Sequence, residues 1–169
     1  MIRRLGALNL PAPRIGVSFV TTLLGRSEYR LGRITIAASS FYLSTDSEIL
    51  RTIDHEVAHY VQFRLNRKLR LAEYFPVGRR TFIEGFATFA SRITTGTIGR
   101  PVQQGLERLL AGQKVPSSVR DYALGYFRFH TIAKTSTPDF ALNVGLTNSM
   151  DEWKAESRNA CAKLGIPSH

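Results

Sequence analysis

The stretch TIDHEVAHYVQ, residues 52–62, contains two histidines four positions apart, with a glutamate directly after the first. Residues four apart lie on one face of an α-helix, so His55 and His59 would project together if this stretch is helical. Two imidazoles in this arrangement can bind one metal ion, and Glu56 can act on a water molecule without itself being a ligand. The alternative is an ordinary histidine pair on a solvated helix face.

The residues before the motif predict that it lies within a helix. Thr45 and Glu48 have the spacing of a capping box, in which each side chain bonds the backbone of the other residue. Apolar residues then recur at helical spacing, at Ile49, Ile53 and Val57. We therefore expect a helix that begins near Asp46 and carries both histidines.

Two upstream stretches predict a small N-terminal sheet. The stretch IGVSFVT, residues 15–21, alternates apolar with small or polar residues, which is typical of a strand. Its inward-facing residues would be Ile15, Val17 and Phe19. The stretch EYRLGRITIAA, residues 28–38, predicts a second strand whose apolar positions change parity across Gly32. A β-bulge at this glycine would account for the change.

A catalytic zinc ion needs a third protein ligand and an open coordination position. The other two histidines, His130 and His169, do not stand at the short spacing after the motif that a third histidine ligand would have. A carboxylate is therefore the expected third ligand. The candidate is Glu84, in the stretch RRTFIEGFATFASRI, residues 79–93.

The residues around Glu84 predict a second helix that packs closely against another element. Its buried face is marked by apolar residues at helical spacing, Phe82, Phe86, Phe89 and Ile93. A close approach is allowed by small residues, Gly85, Ala87, Ala90 and Ser91. Glu84 also has a structural alternative, because Thr81 and Glu84 match the spacing of a capping box. Ligation and capping compete for the same carboxylate.

HEVAH at residues 55–59, followed by EGFATF at residues 84–89, resembles the gluzincin zinc peptidases. A closer similarity is to the small bacterial and archaeal domains called peptidase MA-like. The later motifs of those domains correspond to DYALGYFRFH, residues 121–130, and VGLTNSMDEW, residues 144–153. The chain lacks the G-x-M-E-N segment of the large gluzincin aminopeptidases, so their activity is not implied.

The resemblance implies an α+β, zincin-like fold with a small twisted N-terminal sheet, the HExxH helix, a second helix with the glutamate ligand, and a helical C-terminal half. It also implies that Zn²⁺ is held by His55, His59 and Glu84, while Glu56 takes the proton of the attacking water. RITIAAS, residues 33–39, resembles the strand that lines the cleft, so an extended protein or peptide segment is the expected substrate.

The resemblance further implies that a tyrosine stabilises the oxyanion, and its position corresponds to Tyr122, with Tyr126 as the second candidate. His130 lies four residues further along, so the three side chains share one stripe of a helix. The alternative for each is a place in the hydrophobic core. Further helices are expected over 101–111, 117–134 and 150–163.

Length and composition favour one domain over residues 1–169, with 1–14 as a flexible N-terminal segment, because 43% of the residues are hydrophobic. The single Cys161 excludes an internal disulfide and a cysteine-based metal site, which fits a reducing compartment. The apolar stretch near the N-terminus is short and is broken by prolines, unlike a signal peptide. No run is long enough to span a membrane, so a cytoplasmic location is expected.

The charge is strongly positive, with 23 Lys and Arg against 13 Asp and Glu and a net charge of +10. Such a balance fits an anionic partner, namely nucleic acid, a membrane surface or an acidic substrate. The densest cluster is RLNRKLR, residues 64–70, and Arg79 and Arg80 precede the Glu84 helix. The structural alternative is that these cations stabilise a helix C-terminus and a solvated loop.

Three functions therefore remain open. The first is a zinc endopeptidase, supported by the complete set of His55, Glu56, His59 and Glu84. The second is a DNA-associated protease or a nucleic-acid-binding protein, supported by the positive charge. The third is a zinc protein without turnover, whose cleft is filled by residues 1–14 or by the C-terminal AKLGIPSH, residues 162–169.

Overall fold

The computed structural model describes residues 10–18, 27–30, 33–37, 44–69 and 79–168. These residues form an α+β fold that is mostly helical. The strands are β1 (Arg14–Ser18), β2 (Glu28–Arg30) and β3 (Arg33–Ala37). The α-helices are α1 (Asp46–Leu65), α2 (Arg80–Thr95), α3 (Arg100–Leu110), α4 (Ser117–Thr135), α5 (Pro138–Thr147) and α6 (Met150–Leu164). A short 3-10 helix, Arg67–Leu69, follows α1.

The three strands form one sheet in the order β1-β3-β2, with β1 parallel and β2 antiparallel to β3. The prediction of one bulged strand over 28–38 is therefore wrong, because the chain reverses direction between Arg30 and Arg33. The apolar positions change parity because they belong to two separate strands. Tyr29 of β2 pairs with Ile34 of β3. Gly32, the expected bulge position, lies outside the described residues.

The residues of β1 that were predicted to face inward point to the core side of the sheet where the structure describes them, but they are not buried. Ile15 and Val17 pair with the buried Ile34 and Ile36, so they share the core-facing side of the sheet. Nevertheless, 57% of Ile15 and 49% of Val17 is exposed. The reason is that α1 packs on β3 and β2, and the edge strand β1 extends beyond it. Phe19 lies outside the described residues.

Helix α1 begins at Asp46, as predicted, and both bonds of the capping box are present between Thr45 and Glu48. Its C-terminal end is held by two fully buried amide side chains. Gln62 Nε2 donates to the carbonyl of Gly145 at 3.2 Å, and Asn66 Nδ2 donates to the same carbonyl at 3.0 Å. The end of α1 is thus attached to α5, far along the chain.

Helices α2 and α4 pack with their backbones in contact. A Cβ added to Gly85 would lie 2.4 Å from the Cα of Gly125, and a Cβ added to Gly125 would lie 2.1 Å from the carbonyl oxygen of Thr81. Only glycine fits at both positions, because the neighbouring atoms belong to backbone that cannot rotate away. The expected close approach of the Glu84 helix is therefore confirmed.

A cluster of aromatic rings fills the core between α2, α4 and α6. Phe82 stacks on Phe129 at 5.7 Å between ring centroids, and Trp153 lies 5.0 Å from Phe82 and 5.3 Å from Phe129. Phe86 and Phe89 extend this cluster along α2. The predicted apolar stripe of α2 is therefore its buried face.

The C-terminal half is helical, as predicted, and the bounds of α3, α4 and α6 differ by one residue from the expected ones. Helix α5, which has ten residues, was not predicted. Its start carries ordinary signals, because the Thr137 side chain caps the helix and Pro138 occupies its first turn. Helix α5 is nonetheless essential to packing, because a Cβ added to Gly145 would lie 2.0 Å from the Phe86 ring.

Replacing Gly125 with alanine tests the contact between α2 and α4. We expect Gly125→Ala to lower the free energy of unfolding by about 3 kcal/mol, because the added methyl group meets backbone atoms. Gly105→Ala is the matched control in α3, where the nearest atom, 3.1 Å away, is the Ala123 methyl group. It should stay within about 1 kcal/mol of wild type. Equal denaturant midpoints for the two variants would contradict this packing.

Candidate metal centre

Helices α1 and α2 bring three side chains of the predicted metal site together. Glu84 Oε2 lies 3.2 Å from His55 Nε2 and 3.3 Å from His59 Nε2. The three candidate ligand atoms all lie within 4.8 Å of one another. The two histidines are one turn apart on α1, and Glu84 reaches them from the facing side of α2. The structure thus assembles residues that are 29 positions apart in the sequence.

The distances and the chemistry of this cluster fit a bound metal ion. Nitrogen and oxygen ligands at about 2.05 Å from a tetrahedral zinc ion lie about 3.3 Å from one another. The two measured distances to Glu84 Oε2 agree with this value. Two imidazoles and one carboxylate leave a fourth tetrahedral position open. The residues present are therefore close enough together, and of the right chemistry, to hold a metal ion.

Glu84 does not serve as a helix cap. Helix α2 begins at Arg80, and its N-cap residue Arg79 makes no side-chain capping bond. Thr81, the proposed partner of Glu84 in a capping box, instead donates from its hydroxyl to Asp121 Oδ1 at 2.5 Å. The capping alternative is therefore wrong, and the Glu84 carboxylate faces the histidines.

The ionisation of Glu84 follows from its neighbours. Burial alone would raise the pKa of this carboxyl, but hydrogen bonds from His55 and His59 outweigh burial and hold the pKa well below its usual range. Arg80 adds a weaker attraction, with its Nε 3.7 Å from Glu84 Oε1. Glu84 is thus an anion at neutral pH, as a carboxylate ligand must be.

Glu56 is buried beside the cluster without joining it. Only 6% of this residue is exposed, and it lines the same cleft as His55 and Glu84. Burial raises the pKa of Glu56 to about 7, and the nearby Glu84 acts in the same direction, whereas His55 lowers it. A carboxyl group with this pKa can both accept and return a proton near neutral pH.

The three candidate residues on α4, Tyr122, Tyr126 and His130, do not all lie at the site. Tyr122 lines the cleft, and its ring stacks on His55 with 5.9 Å between centroids. Tyr126 is 3% exposed and packs against Phe89, and His130 stacks on Tyr126. Of the three candidates, only Tyr122 therefore reaches the metal cluster.

The Tyr122 hydroxyl remains protonated at neutral pH. Burial raises the pKa of this group to about 12, with a further contribution from the negative charge of Glu84. A hydrogen bond with Arg80 lowers the pKa but does not reverse the shift. Tyr122 is therefore a hydrogen-bond donor within the cleft.

The cleft has a volume of about 830 Å³ and is lined largely by polar side chains. Its lining includes two arginines that were not predicted as site residues, Arg51 and Arg80. Each lies four positions before a candidate ligand, Arg51 before His55 and Arg80 before Glu84. This i, i−4 spacing was the available signal, since it places both arginines on the ligand-bearing helix faces.

The prediction that the strand at residues 33–39 lines the cleft is wrong within the described residues, because none of Arg33–Ala37 lines it. Strand β3 lies between β1 and β2, so its backbone groups are already paired. The edge nearest the cleft belongs to β2, because Ser27 and Glu28 line the cleft. An extended chain would have to pair with β2 instead.

The chain ends that were considered as plugs do not line the cleft where the structure describes them. Residues 10–14 pack elsewhere, with the Tyr60 hydroxyl donating to the carbonyl of Pro11. Residues 162–168 are mostly exposed at the end of α6. Residues 1–9 and His169 lie outside the described part of the chain.

The basic cluster at residues 64–70 separates into different environments. The Arg64 guanidinium lies over the Tyr60 ring, 5.7 Å from its centroid. Lys68 pairs with Glu152 at 2.6 Å. The expectation that these cations only stabilise a helix end and a loop therefore does not describe Lys68, which links the region after α1 to α6.

No family model matches this chain, and neither a curated protein nor a solved structure matches it. Among the described residues, no helix is long and apolar enough to cross a membrane. The resemblance to the gluzincin peptidases therefore stays a prediction, supported by the motifs and by the cluster of His55, His59 and Glu84.

Zinc titration of Glu84→Ala tests the cluster as a metal site. We expect wild type to bind one zinc ion per chain and the variant to bind at least about a hundredfold more weakly, because one of three ligands is lost. Competition with a chromophoric chelator would measure both affinities. Glu107→Ala removes an exposed carboxylate of α3 and should bind zinc like wild type. Equal affinity of Glu84→Ala and wild type would exclude Glu84 as a ligand.

Proposed function

We propose that this protein is a zinc-dependent peptidase of the gluzincin type, with a zincin-like fold, that hydrolyses peptide bonds in extended or unfolded protein segments. The observation that carries this proposal is the convergence of His55, His59 and Glu84 beside the buried Glu56. The three ligands alone would suit many metalloproteins. The adjacent carboxyl group, held off the metal cluster with a pKa near 7, favours hydrolysis.

The donor set favours zinc as the resident ion. Two imidazole nitrogens and one carboxylate oxygen suit Zn²⁺, whereas calcium and magnesium prefer sites built from oxygen alone. Zinc would supply polarisation of the substrate carbonyl and would lower the pKa of the attacking water from about 15.7 toward about 7.

Glu56 would transfer the protons of the reaction. It would accept the proton of the water that attacks the carbonyl carbon, and it would return this proton to the nitrogen of the leaving amine as the carbon–nitrogen bond breaks. Burial raises the pKa of Glu56, which suits a carboxyl group that accepts and then returns a proton. Because Glu56 directly follows His55, it lies next to the proposed ligands without being a ligand itself.

Tyr122 would donate a hydrogen bond to the oxygen that becomes negatively charged during the attack. Three observations support this role: the Tyr122 ring stacks on His55, the residue lines the cleft, and its hydroxyl is protonated at neutral pH. Arg80, which is hydrogen-bonded to the same hydroxyl, would position it.

The shape of the cleft supports an extended substrate. Strand β2 is an edge strand in the described part of the sheet and its first residue, Glu28, lines the cleft, so an extended peptide would lie beside this strand. Arg51 lies one helical turn before His55 in the same cleft, so it could meet an acidic side chain of the substrate.

Glu56→Gln tests the proposed proton transfer. We expect the zinc-loaded variant to lose at least about a hundredfold of wild-type activity on unfolded casein, because an amide cannot accept the proton of the water. Zinc affinity should remain that of wild type, since Glu56 is not a ligand. Zinc binding without cleavage by wild type would favour the function without turnover, and equal activity of the two proteins would contradict the mechanism.

Tyr122→Phe tests oxyanion stabilisation, with Tyr126→Phe as a matched control on the same helix. We expect Tyr122→Phe to lower kcat about 10²- to 10³-fold with little change in KM, because the lost bond forms mainly in the transition state. Tyr126→Phe should retain activity, since Tyr126 packs in the core. Casein cleavage rates at several substrate concentrations would separate kcat from KM. A loss in the control variant alone would assign the role to Tyr126.

A further inference from the structure

A row of arginines crosses one end of the sheet. Arg33, the first residue of β3, pairs with Arg14 of β1 on one side and with Arg30 of β2 on the other. Residues paired directly across neighbouring strands point to the same face of a sheet. All three strands therefore place a cation on one face at the same level.

This arrangement is unfavourable unless an anion compensates it. Like charges directly opposite each other destabilise a sheet, and the row contains two such pairs. No ion pair within the described residues involves Arg14, Arg30 or Arg33. The sheet therefore keeps three adjacent cations without a protein counter-charge in the described part of the chain.

The three arginines line a cavity of about 740 Å³ together with a fourth, Arg64 of α1. Its remaining described lining is Pro11, Ala12, Ile15 and Tyr60, so none of the described residues that line it carries a carboxylate. None of these residues lines the metal cleft. The cavity is therefore a second site, separate from the proposed active site.

Two of the four guanidinium groups lie against neighbouring groups of the described chain. Arg64 lies over the Tyr60 ring, and the Tyr60 hydroxyl is bonded to the carbonyl of Pro11 in the wall of the cavity. Arg33 lies across Gly16, where an added Cβ would be 3.2 Å from its Nη2 atom. A side chain that is already packed on a ring, as Arg64 is, loses less entropy on binding a ligand, so its packing favours affinity.

We propose that this cavity binds a compact anion that carries two or more phosphate groups. A guanidinium group presents parallel N–H donors that match the oxygens of a phosphate, and four such groups around one concave space suit several phosphates close together. A nucleic-acid strand fits less well. Its bases stack on exposed rings, whereas Tyr60, the one aromatic residue in the described lining, is 1% exposed.

Calorimetric titration with sodium tripolyphosphate tests the site, using the full-length chain. We expect saturable binding by wild type and at least about tenfold weaker binding by Arg33→Gln, which loses the central cation of the row. Arg158→Gln removes one exposed positive charge from α6 and should bind like wild type. Equal binding by all three proteins would mean non-specific attraction to the net charge and would overturn the proposal.

Thermal unfolding provides a second readout, because Arg33→Gln should weaken ligand binding without lowering the stability of the free protein. Without ligand, Arg33→Gln should be at least as stable as wild type, because two repulsive pairs are removed. Tripolyphosphate should raise the Tm of wild type more than that of the variant. If Arg33→Gln does not fold, Arg30→Gln at the edge of the row replaces it in both measurements. Tm shifts that do not distinguish wild type from either variant would overturn the site.

Tripolyphosphate could also reach a zinc ion or the arginines of the cleft, so two further variants separate the sites. Glu84→Ala, which removes a zinc ligand, and Arg51→Gln, which removes a cleft cation, should both keep wild-type affinity for tripolyphosphate. Weaker binding by these variants, with full binding by Arg33→Gln, would place the anion in the cleft and overturn the proposal.

The source of the phosphates is distinguished by sedimentation with phosphatidylcholine vesicles that contain 4,5-bisphosphorylated phosphatidylinositol. Sedimentation that tripolyphosphate reverses and Arg33→Gln abolishes would identify a lipid headgroup. Tripolyphosphate binding without sedimentation would identify a soluble oligophosphate, and both results support the site. Absence of tripolyphosphate binding, with affinity for single-stranded DNA that grows with strand length, would overturn it in favour of nucleic acid.

Discussion

The contact between the backbones of α2 and α4 at Gly85 and Gly125 determines the geometry of the candidate metal centre. Glu84 precedes the glycine of α2, and Tyr122 lies about one turn before the glycine of α4. The distance between these helices therefore sets where the carboxylate and the phenol stand relative to α1. A side chain at either glycine would separate the helices and move both groups, so the small residues belong to the site as much as to the core.

Charge is distributed in two distinct environments around the sheet. At the cleft, which Glu28 and Glu56 also line, Glu84 meets a pair of histidines, and a divalent cation would neutralise the carboxylates there. At the other end of the strands, arginines gather around a cavity whose described lining contains no carboxylate. Part of the net charge of +10 is thus concentrated around one cavity. The basic cluster at residues 64–70 contributes Arg64 to this cavity.

The sequence predicted the features that depend on near neighbours along the chain. The capping box before α1, the shared face of His55 and His59 and the apolar stripe of α2 each follow from spacings of three or four residues. Features that depend on distant partners were missed or wrong. The exposure of Ile15 depends on how far α1 extends across the sheet, and the row around Arg33 depends on strand pairing. Glu84 was found because its neighbouring motif resembles a known family.

The bonds from Gln62 and Asn66 to the carbonyl of Gly145 have a consequence for synthesis on the ribosome. The histidine-bearing helix is made before the acceptor for its two buried amides, which lies 79 to 83 residues later in the sequence. The same is true of α2, whose packing partners Gly125 and Gly145 also come later. The nascent chain therefore carries paired imidazoles before a carboxylate is fixed opposite them, and a metal ion captured at that stage would have water in place of the third ligand.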